Sequence, residues 1–231
     1  MVKIIGEIGS NHMGDFEKGK QLIDLCKENG CKLAKFQLWK ADDLYKGTKM
    51  YEKAKKYELG FDLAKRFFDY GKEIGIDVIF SVFYPEAITF CEAIGVKYYK
   101  ISAAFSNNID IVNGCLKTKK PVIVSFGGFF KTDADLFYNK RVIPLYTVPS
   151  YPPEFSEFNM AFLQENLKRK GGYSNHYTDM FFSKLATYLG AEWVELHVRL
   201  DKGCEDSPDI VCSITPSQLE EFVSWTKMLE E

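Results

Sequence analysis

GYSNHYTDMFFSKLATYLGAEWVELHV, residues 172–198, decides how the rest of the chain is read. Gly172 to Asn175 and Trp193 to Val198 are short segments of strand-like composition. Between them Asp179 to Leu189 has helical spacing and stops at Gly190. Strand, helix and strand in so short a stretch predict one parallel βαβ unit. Near the end of each strand stands a histidine, His176 and His197, and the chain has only three histidines. On neighbouring strands of a parallel barrel the two imidazoles would converge at the C-terminal face, where barrel enzymes carry their chemistry. Neutral imidazole is a common ligand for Mn, Fe, Co or Zn, so the pair predicts a divalent metal site.

The same alternation runs outward to both termini. Lys3 to Ile8 reads as a first strand, and Phe16 to Asn29 as a helix with Leu22, Ile23 and Cys26 on one face, stopped by Gly30. Lys32 to Leu38 is a second strand, followed by a long polar stretch and a helix from about Leu59 to Ile74. Val78 to Val82, Tyr98 to Ile101, Val122 to Ser125 and Val142 to Tyr146 are the next strands, with helices starting near Pro85, Ile109 and Lys131. A last helix opens at Thr215-Pro216, an N-cap followed by a first-turn proline. These units, with no break in composition, predict an α/β protein of a single domain over residues 1–231, most economically a closed TIM (β/α)8 barrel. An open doubly wound sheet is the alternative, and the lack of a glycine-rich dinucleotide fingerprint after the first strand weighs against it.

A hydrophobic share of 46% is enough to fill a sizeable core without help from a metal or disulfide. The net charge of -2 arises from 30 basic and 32 acidic residues spread along the chain, which leaves no broad footprint for nucleic acid. No apolar run approaches a membrane span, and the opening MVKIIGE is charged too soon for a signal peptide. The expectation is a cytoplasmic protein with neither nucleic acid nor membrane as partner. Cys26, Cys31, Cys91, Cys115, Cys204 and Cys212 form no Cys-x-x-Cys pair and read as reduced packing thiols. The Lys- and Tyr-rich segment Met50 to Tyr57 reads as a solvated loop, with a lid over the site as the other option. Phe129-Phe130, Met180-Phe181-Phe182 and Phe67-Phe68 read as core, with an oligomer contact as the other option.

A barrel demands that useful residues gather at the strand ends, and they do. Strand one ends in Glu7, with Ser10, Asn11 and His12 just beyond; strand two carries Lys35 and Gln37, strand three Ser81, and strand four Lys100 and Ser102. Ser125 precedes Gly127-Gly128 on strand five, Ser174 precedes Asn175-His176 on strand seven, and Glu195 precedes His197 on strand eight. Buried charges cost several kcal/mol unless paired, so a purely structural barrel has no reason to collect them. Two lysines with serine hydroxyls suit a phosphate and a carboxylate on one small ligand, and phosphoenolpyruvate carries both.

Five motifs carry a resemblance. EIGSNHMGDFEKGKQLIDLCKENG at 7–30, KFQ at 35–37, GYSNH at 172–176, ELH at 195–197 and PDIVCS at 208–213 occur in the order in which the sialic acid synthase (N-acetylneuraminate synthase) family has them. The chain resembles the barrel domain of that family over essentially its whole length. The resemblance implies a TIM-barrel transferase that joins phosphoenolpyruvate to the open-chain aldehyde of an N-acetylated hexosamine, giving a nonulosonic acid and phosphate. Carried over to matching residues, it implies that His176 and His197 hold a divalent metal, Mn or Mg. Lys35, Ser81, Lys100, Ser125 and Ser174 would grip phosphoenolpyruvate, together with Ser102. Glu7 and Asp209 would handle protons and water, and Gln37 and Tyr151 would line the sugar.

The departures from the family pattern carry information too. Lys100-Ile101-Ser102-Ala103 shifts one serine by a residue, and Ser125-Phe126-Gly127 replaces the usual Ser-Thr-Gly. Pro149 stands where an asparagine is expected to touch the amino sugar, and Asn175 replaces the aspartate before the metal histidine. The sequence ends at Glu231, so the family's C-terminal antifreeze-like domain is not expected. The acceptor would then sit in a more open mouth, unless a homodimer partner or a separate antifreeze-like chain covers it. A degenerate barrel that binds phosphoenolpyruvate or sugar without turnover is the competing reading, and a metal-dependent aldolase or lyase is a further one.

Overall fold

A computed structural model describes residues 2–127 and 134–229. Eight parallel strands close into a barrel in sequence order: β1 (Lys3–Glu7), β2 (Leu33–Leu38), β3 (Asp77–Val82), β4 (Tyr99–Ile101), β5 (Val122–Gly127), β6 (Val142–Thr147), β7 (Gly172–Asn175) and β8 (Trp193–His197). The outer helices are α1 (Phe16–Glu28), α2 (Ala41–Leu44), α3 (Tyr51–Tyr57), α4 (Phe61–Ile74), α5 (Pro85–Ile94), α6 (Ile109–Lys117), α7 (Ala134–Phe137), α8 (Met160–Leu167), α9 (Phe181–Tyr188) and α10 (Pro216–Met228). The expected TIM barrel is the fold observed.

Local chemistry sets the helix ends. The Asp15 carboxylate caps α1 by accepting from the Lys18 amide at 2.8 Å, and α1 then buries Gly19, Leu22, Ile23 and Cys26 on one face. Pro85 occupies the first turn of α5, and Gly95 ends that helix in the left-handed region at φ 85°. Thr215 and Gln218 form a reciprocal capping box on α10.

The strand period of two builds the interior in layers. Ile5, Leu33, Ile79, Ile123, Leu145 and Trp193 form an apolar cluster inside the barrel. Two residues further along each of these strands stand Glu7, Lys35, Ser81, Ser125, Thr147 and Glu195, all buried. The barrel is therefore plugged with hydrocarbon below and polar above, and the switch occurs at one level on six strands. On β7 the lower position is Gly172, where a Cβ would lie 1.7 Å from the Trp193 carbonyl oxygen, so the indole strand can approach only because no side chain is present. Alternate residues such as Ala34, Phe36, Val78, Phe80, Val124 and Tyr146 face outward into the layer between sheet and helices.

Two readings of the sequence change. Met50 to Tyr57 is not a loop: Tyr51–Tyr57 is helix α3, and Ala54 packs with Trp39 and Ala41 in a small satellite core. Asp179 lies just outside α9 and accepts from the Phe181 amide at 2.8 Å, so that helix starts later than its spacing suggests. The helix start near Lys131, the Phe129-Phe130 pair and Gly128 lie outside the described residues. Within α9 and its approach, Met180 and Phe182 are buried as expected, whereas Phe181 is exposed. All six cysteines are buried and unbridged. Among the described residues no helix is long and apolar enough to cross a membrane.

Candidate active site

One cavity of about 340 Å³ opens at the C-terminal ends of the strands, and the residues to which the family resemblance gives ligand, metal or proton roles line it: Glu7, Lys35, Gln37, Ser81, Lys100, Ser102, Ser125, Tyr151, Ser174, His176, His197 and Asp209. Register explains the convergence. Glu7 is the strand partner of both Lys35 and His197, Ser81 pairs with both Gln37 and Lys100, and Ser174 pairs with Glu195.

The floor of the cavity is a buried charge network. The Lys35 ammonium lies 2.6 Å from Glu7 and 3.5 Å from Glu195, and donates to the Ser81 hydroxyl at 3.0 Å. The Lys100 ammonium donates to the Ser125 hydroxyl at 2.7 Å and lies 3.8 Å from Glu195. Ser174 donates to the other side of the network, 2.8 Å from Glu195 Oε1. Two ammonium groups and two carboxylates thus balance in a site where an unpaired charge would be costly.

Burial pulls on each of these groups, and the neighbours decide the outcome. It would raise the Glu195 carboxyl, but Lys100 and Lys35 beside it hold it below the usual carboxylate range. It lowers Lys100 to about 8, against the pull of Glu195. Lys35 is raised instead, because Glu195 and Glu7 together outweigh its burial. Burial raises Glu7 even though Lys35 and His197 oppose it. Gln37 donates to Glu7 Oε1 at 2.5 Å and accepts from the Trp39 indole at 3.1 Å, fixing that carboxyl from above.

The two imidazoles stand at the ends of β7 and β8, beside the charge network, with ring centroids 5.5 Å apart. His176 Nδ1 lies 2.8 Å from the Val148 carbonyl, so it carries the proton and donates. Nε2 is left as an acceptor, and the Tyr151 hydroxyl donates to it at 2.8 Å. Burial, with His197 nearby, lowers His176 to about 3 and keeps it neutral. His197 behaves in the reverse way. Burial would lower it, but Cys212, Asp209 and Glu7 raise it to about 10. Its Nδ1 is buried without a hydrogen-bond partner, 3.8 Å from Asp209 Oδ1. Asp209 is itself held by the Ser10 amide at 2.6 Å from Oδ2, which requires the left-handed turn at Gly9 (φ 52°), where a Cβ would meet that same oxygen.

Other strand-end residues play supporting parts. His12 is packed between Phe36 and Phe67, accepts from the Gly14 amide at 3.0 Å and is lowered to about 4 by burial, so it shapes the first loop and does not line the cavity. Asn175 donates to the Tyr177 and Asp179 carbonyls ahead of α9. The cavity also has lining residues that the sequence did not single out: Trp39, Leu44, Tyr45, Phe83, Ala104 and Thr147. Most of these follow the strands in loops, where no period marks which side chain points inward.

A family model described as the NeuB family matches residues 22–231. The chain belongs to the NeuB family. Among its relatives, the N,N'-diacetyllegionaminic acid synthase of Legionella pneumophila is 26% identical over 95% of this chain and 70% of its own length. The N-acetylneuraminate-9-phosphate synthase of Mus musculus is 28% identical over 98% of this chain and 70% of its own. The crystal structure of N-acetylneuraminic acid synthetase from Leptospira borgpetersenii, solved with citrate, superposes with a TM-score of 0.88 at 24% identity, covering 99% of this chain and 83% of that one. This NeuB-family chain therefore shares its barrel with synthases of more than one nonulosonic acid.

Proposed function

We propose that this NeuB-family barrel condenses phosphoenolpyruvate with the aldehyde of an N-acylated hexosamine or related sugar, forming a nonulosonic acid and releasing phosphate. The observation that carries the reading is the division of one cavity into a lysine and serine floor and a wall of two imidazoles. Lys35 and Lys100, with Ser81, Ser125 and Ser174, would take the phosphate and carboxylate of phosphoenolpyruvate. The Ser102 hydroxyl, buried without a partner, adds one more donor. These donors are already oriented by Glu7 and Glu195, so little reorganisation accompanies binding.

The residues fit a divalent metal, Mn or Mg, as a pair of ligands. His176 is neutral, the Val148 carbonyl fixes its tautomer, and its Nε2 lone pair, which accepts from the Tyr151 hydroxyl, would be free for a metal once that hydroxyl gives way. His197 supplies a buried nitrogen without a hydrogen-bond partner, and a bound cation would take the place of the proton that Cys212, Asp209 and Glu7 favour on this ring. Among the described residues no group of three His, Cys, Asp or Glu side chains forms a ready-made cage, so further ligands would come from substrate or water. A metal held there would act as a Lewis acid on the acceptor carbonyl.

The chain's own groups account for the remaining chemistry. As the methylene carbon of phosphoenolpyruvate bonds to the aldehyde carbon, Lys35 and Lys100 stay beside the phosphate and carboxylate charges. Glu7, with its raised pKa, would deliver the proton to the new hydroxyl. Asp209, anchored by the Ser10 amide, would orient the water that adds to the former enol carbon and accept the proton which that water gives up. That tetrahedral carbon then breaks its bond to the phosphate oxygen. The cavity holds both substrates in register, which lowers the entropic part of the barrier. The buried, unbridged cysteines support a reducing, cytoplasmic setting.

Purified protein with Mn, phosphoenolpyruvate and a panel of N-acylated hexosamines should release phosphate only when an acceptor is present. Release with no acceptor of the panel would overturn the catalytic reading. One observation favours a binding-only barrel as the second reading: Pro149, which offers no side-chain amide, lines the cavity near Gly127. Calorimetry separates the two, because phosphoenolpyruvate binding without acceptor-dependent turnover supports the second.

A further inference from the structure

We infer that Cys26 and Cys31 form a modification site on the barrel face opposite the active-site cavity, a dithiol that hydrogen peroxide converts to a disulfide. The pair follows from the way α1 ends. Gly30 takes the left-handed region at φ 70°, its amide donates to the Lys27 carbonyl at 3.0 Å, and the Cys31 amide donates to the Cys26 carbonyl at 2.9 Å. In such a Schellman turn the side chains of the two residues joined by the longer bond meet across the helix end. The same bond closes α5 between Val96 and Cys91 and α9 between Ala191 and Ala186, pairs that cannot bridge. On α1 both places hold a thiol.

Packing keeps the two sulfurs together. A Cβ on Gly6 of β1 would collide with the Cys26 sulfur and lie 3.7 Å from the Cys31 sulfur, so both border one gap beside that strand. The neighbouring Cys31 thiol, and burial after it, push the Cys26 thiol well above the usual thiol range. Access separates the pair. Cys31 lines a cavity of about 960 Å³ at the N-terminal ends of β1, β2 and β3, whereas Cys26 is fully buried. The other thiols lack this combination: Cys204 and Cys212 donate to the Asn11 and Asp209 carbonyls, and Cys91 and Cys115 are fully buried. Peroxide entering the cavity meets Cys31 first. The Cys31 sulfur displaces one peroxide oxygen from the other, which leaves a sulfenic acid and one water. The Cys26 sulfur then attacks the sulfenic sulfur, and the hydroxyl departs with the Cys26 proton as a second water. Two thiols are oxidised and one peroxide is reduced.

The test treats the folded, full-length chain with hydrogen peroxide, removes the excess with catalase, alkylates the remaining thiols in urea and digests with trypsin. Cleavage after Lys20, Lys27 and Lys32 separates QLIDLCK from ENGCK in the reduced chain, and a Cys26–Cys31 disulfide keeps the two peptides joined. Mass spectrometry should find the joined pair, with the other four cysteines alkylated, and dithiothreitol should part it. Cys31→Ser should leave Cys26 alkylated. Cys26→Ala removes the resolving thiol, so Cys31 should go on to the sulfinic acid at peroxide levels from which the wild type recovers. Because the thiols already meet, the oxidised chain should melt no lower than the reduced one. A different cysteine pairing, oxidation of Cys26 in Cys31→Ser as fast as in the wild type, no oxidation before the chain unfolds, or a lower Tm for the oxidised chain would each overturn the inference.

Discussion

Lys35 on β2 and Glu195 on β8 belong to strands that are not neighbours, yet their ammonium and carboxylate groups lie 3.5 Å apart across the barrel interior. Glu195 reaches Lys100 of β4 as well, at 3.8 Å, so one carboxylate ties together three strands. Replacing it by Glu195→Gln leaves two buried ammonium groups facing the single carboxylate of Glu7. Urea unfolding should show a loss of about 3 kcal/mol, the scale for breaking a buried ion pair by removing one partner. Unchanged stability would mean that water reaches these lysines and screens them.

If Lys100 takes an anionic group of phosphoenolpyruvate as proposed, it sets a pH limit on that binding. Its folded pKa of about 8 lies below that of a free lysine, so the ammonium form that grips an anion is depleted as pH rises through 8. Affinity for phosphoenolpyruvate should be level below that pH and fall above it, approaching tenfold per pH unit, as calorimetric titration at a series of pH values would record. The same shift has the opposite sign for folding. Between about 8 and the unfolded value the unfolded chain holds more of this proton, so the Lys100 contribution to stability rises with pH there. Affinity that stays level to pH 10 would contradict the assignment.

Tyr151 donates to the nitrogen of His176 that a metal would use. Tyr151→Phe removes a hydrogen bond worth about 1 kcal/mol, so Mn affinity should rise about fivefold by the electron paramagnetic resonance signal of free Mn. His176→Ala should instead abolish high-affinity binding. A Tyr151→Phe variant with weaker Mn binding would show that the phenol belongs to the metal site and does not compete with it.

Gly172 is a packing requirement of the barrel. Gly172→Ala drives a Cβ into the Trp193 carbonyl of the neighbouring strand, where neither backbone can yield without shifting β7 against β8. Destabilisation of at least about 2 kcal/mol is expected in thermal or urea melts, within the range for overpacked cores. A neutral effect would require the β7–β8 register to differ from the one described.

The barrel and most of its site were legible because both obey a short period. Ile5 to Glu7, Leu33 to Lys35 and Ile79 to Ser81 each switch from apolar to polar across two residues, and that pattern stands in the sequence for any strand whose inner face is known. Glu195 was visible as a strand-end acid, but its role was not. The pairing with Lys35 and Lys100 exists only once the sheet closes and brings β8 opposite β2 and β4. Trp39, Phe83 and Ala104 lie in loops after the strands, where direction depends on turns and not on spacing. Helix α3 was missed for a related reason. Its lysines and tyrosines read as solvated, and the contacts that hold Ala54 come from Trp39 and Ala41, remote in periodic terms.

In the proposed function a carbon–carbon bond forms in the cavity shared by Lys35, Lys100, His176 and His197. The most direct measurement follows phosphoenolpyruvate labelled with carbon-13 at its methylene carbon by NMR, in the presence of Mn and each N-acylated hexosamine of the panel in turn. The label should appear as the C3 methylene of a nonulosonic acid in step with phosphate release, and both signals should vanish in Lys100→Met. Label recovered as the methyl group of pyruvate, or left in phosphoenolpyruvate with every acceptor, would contradict the account.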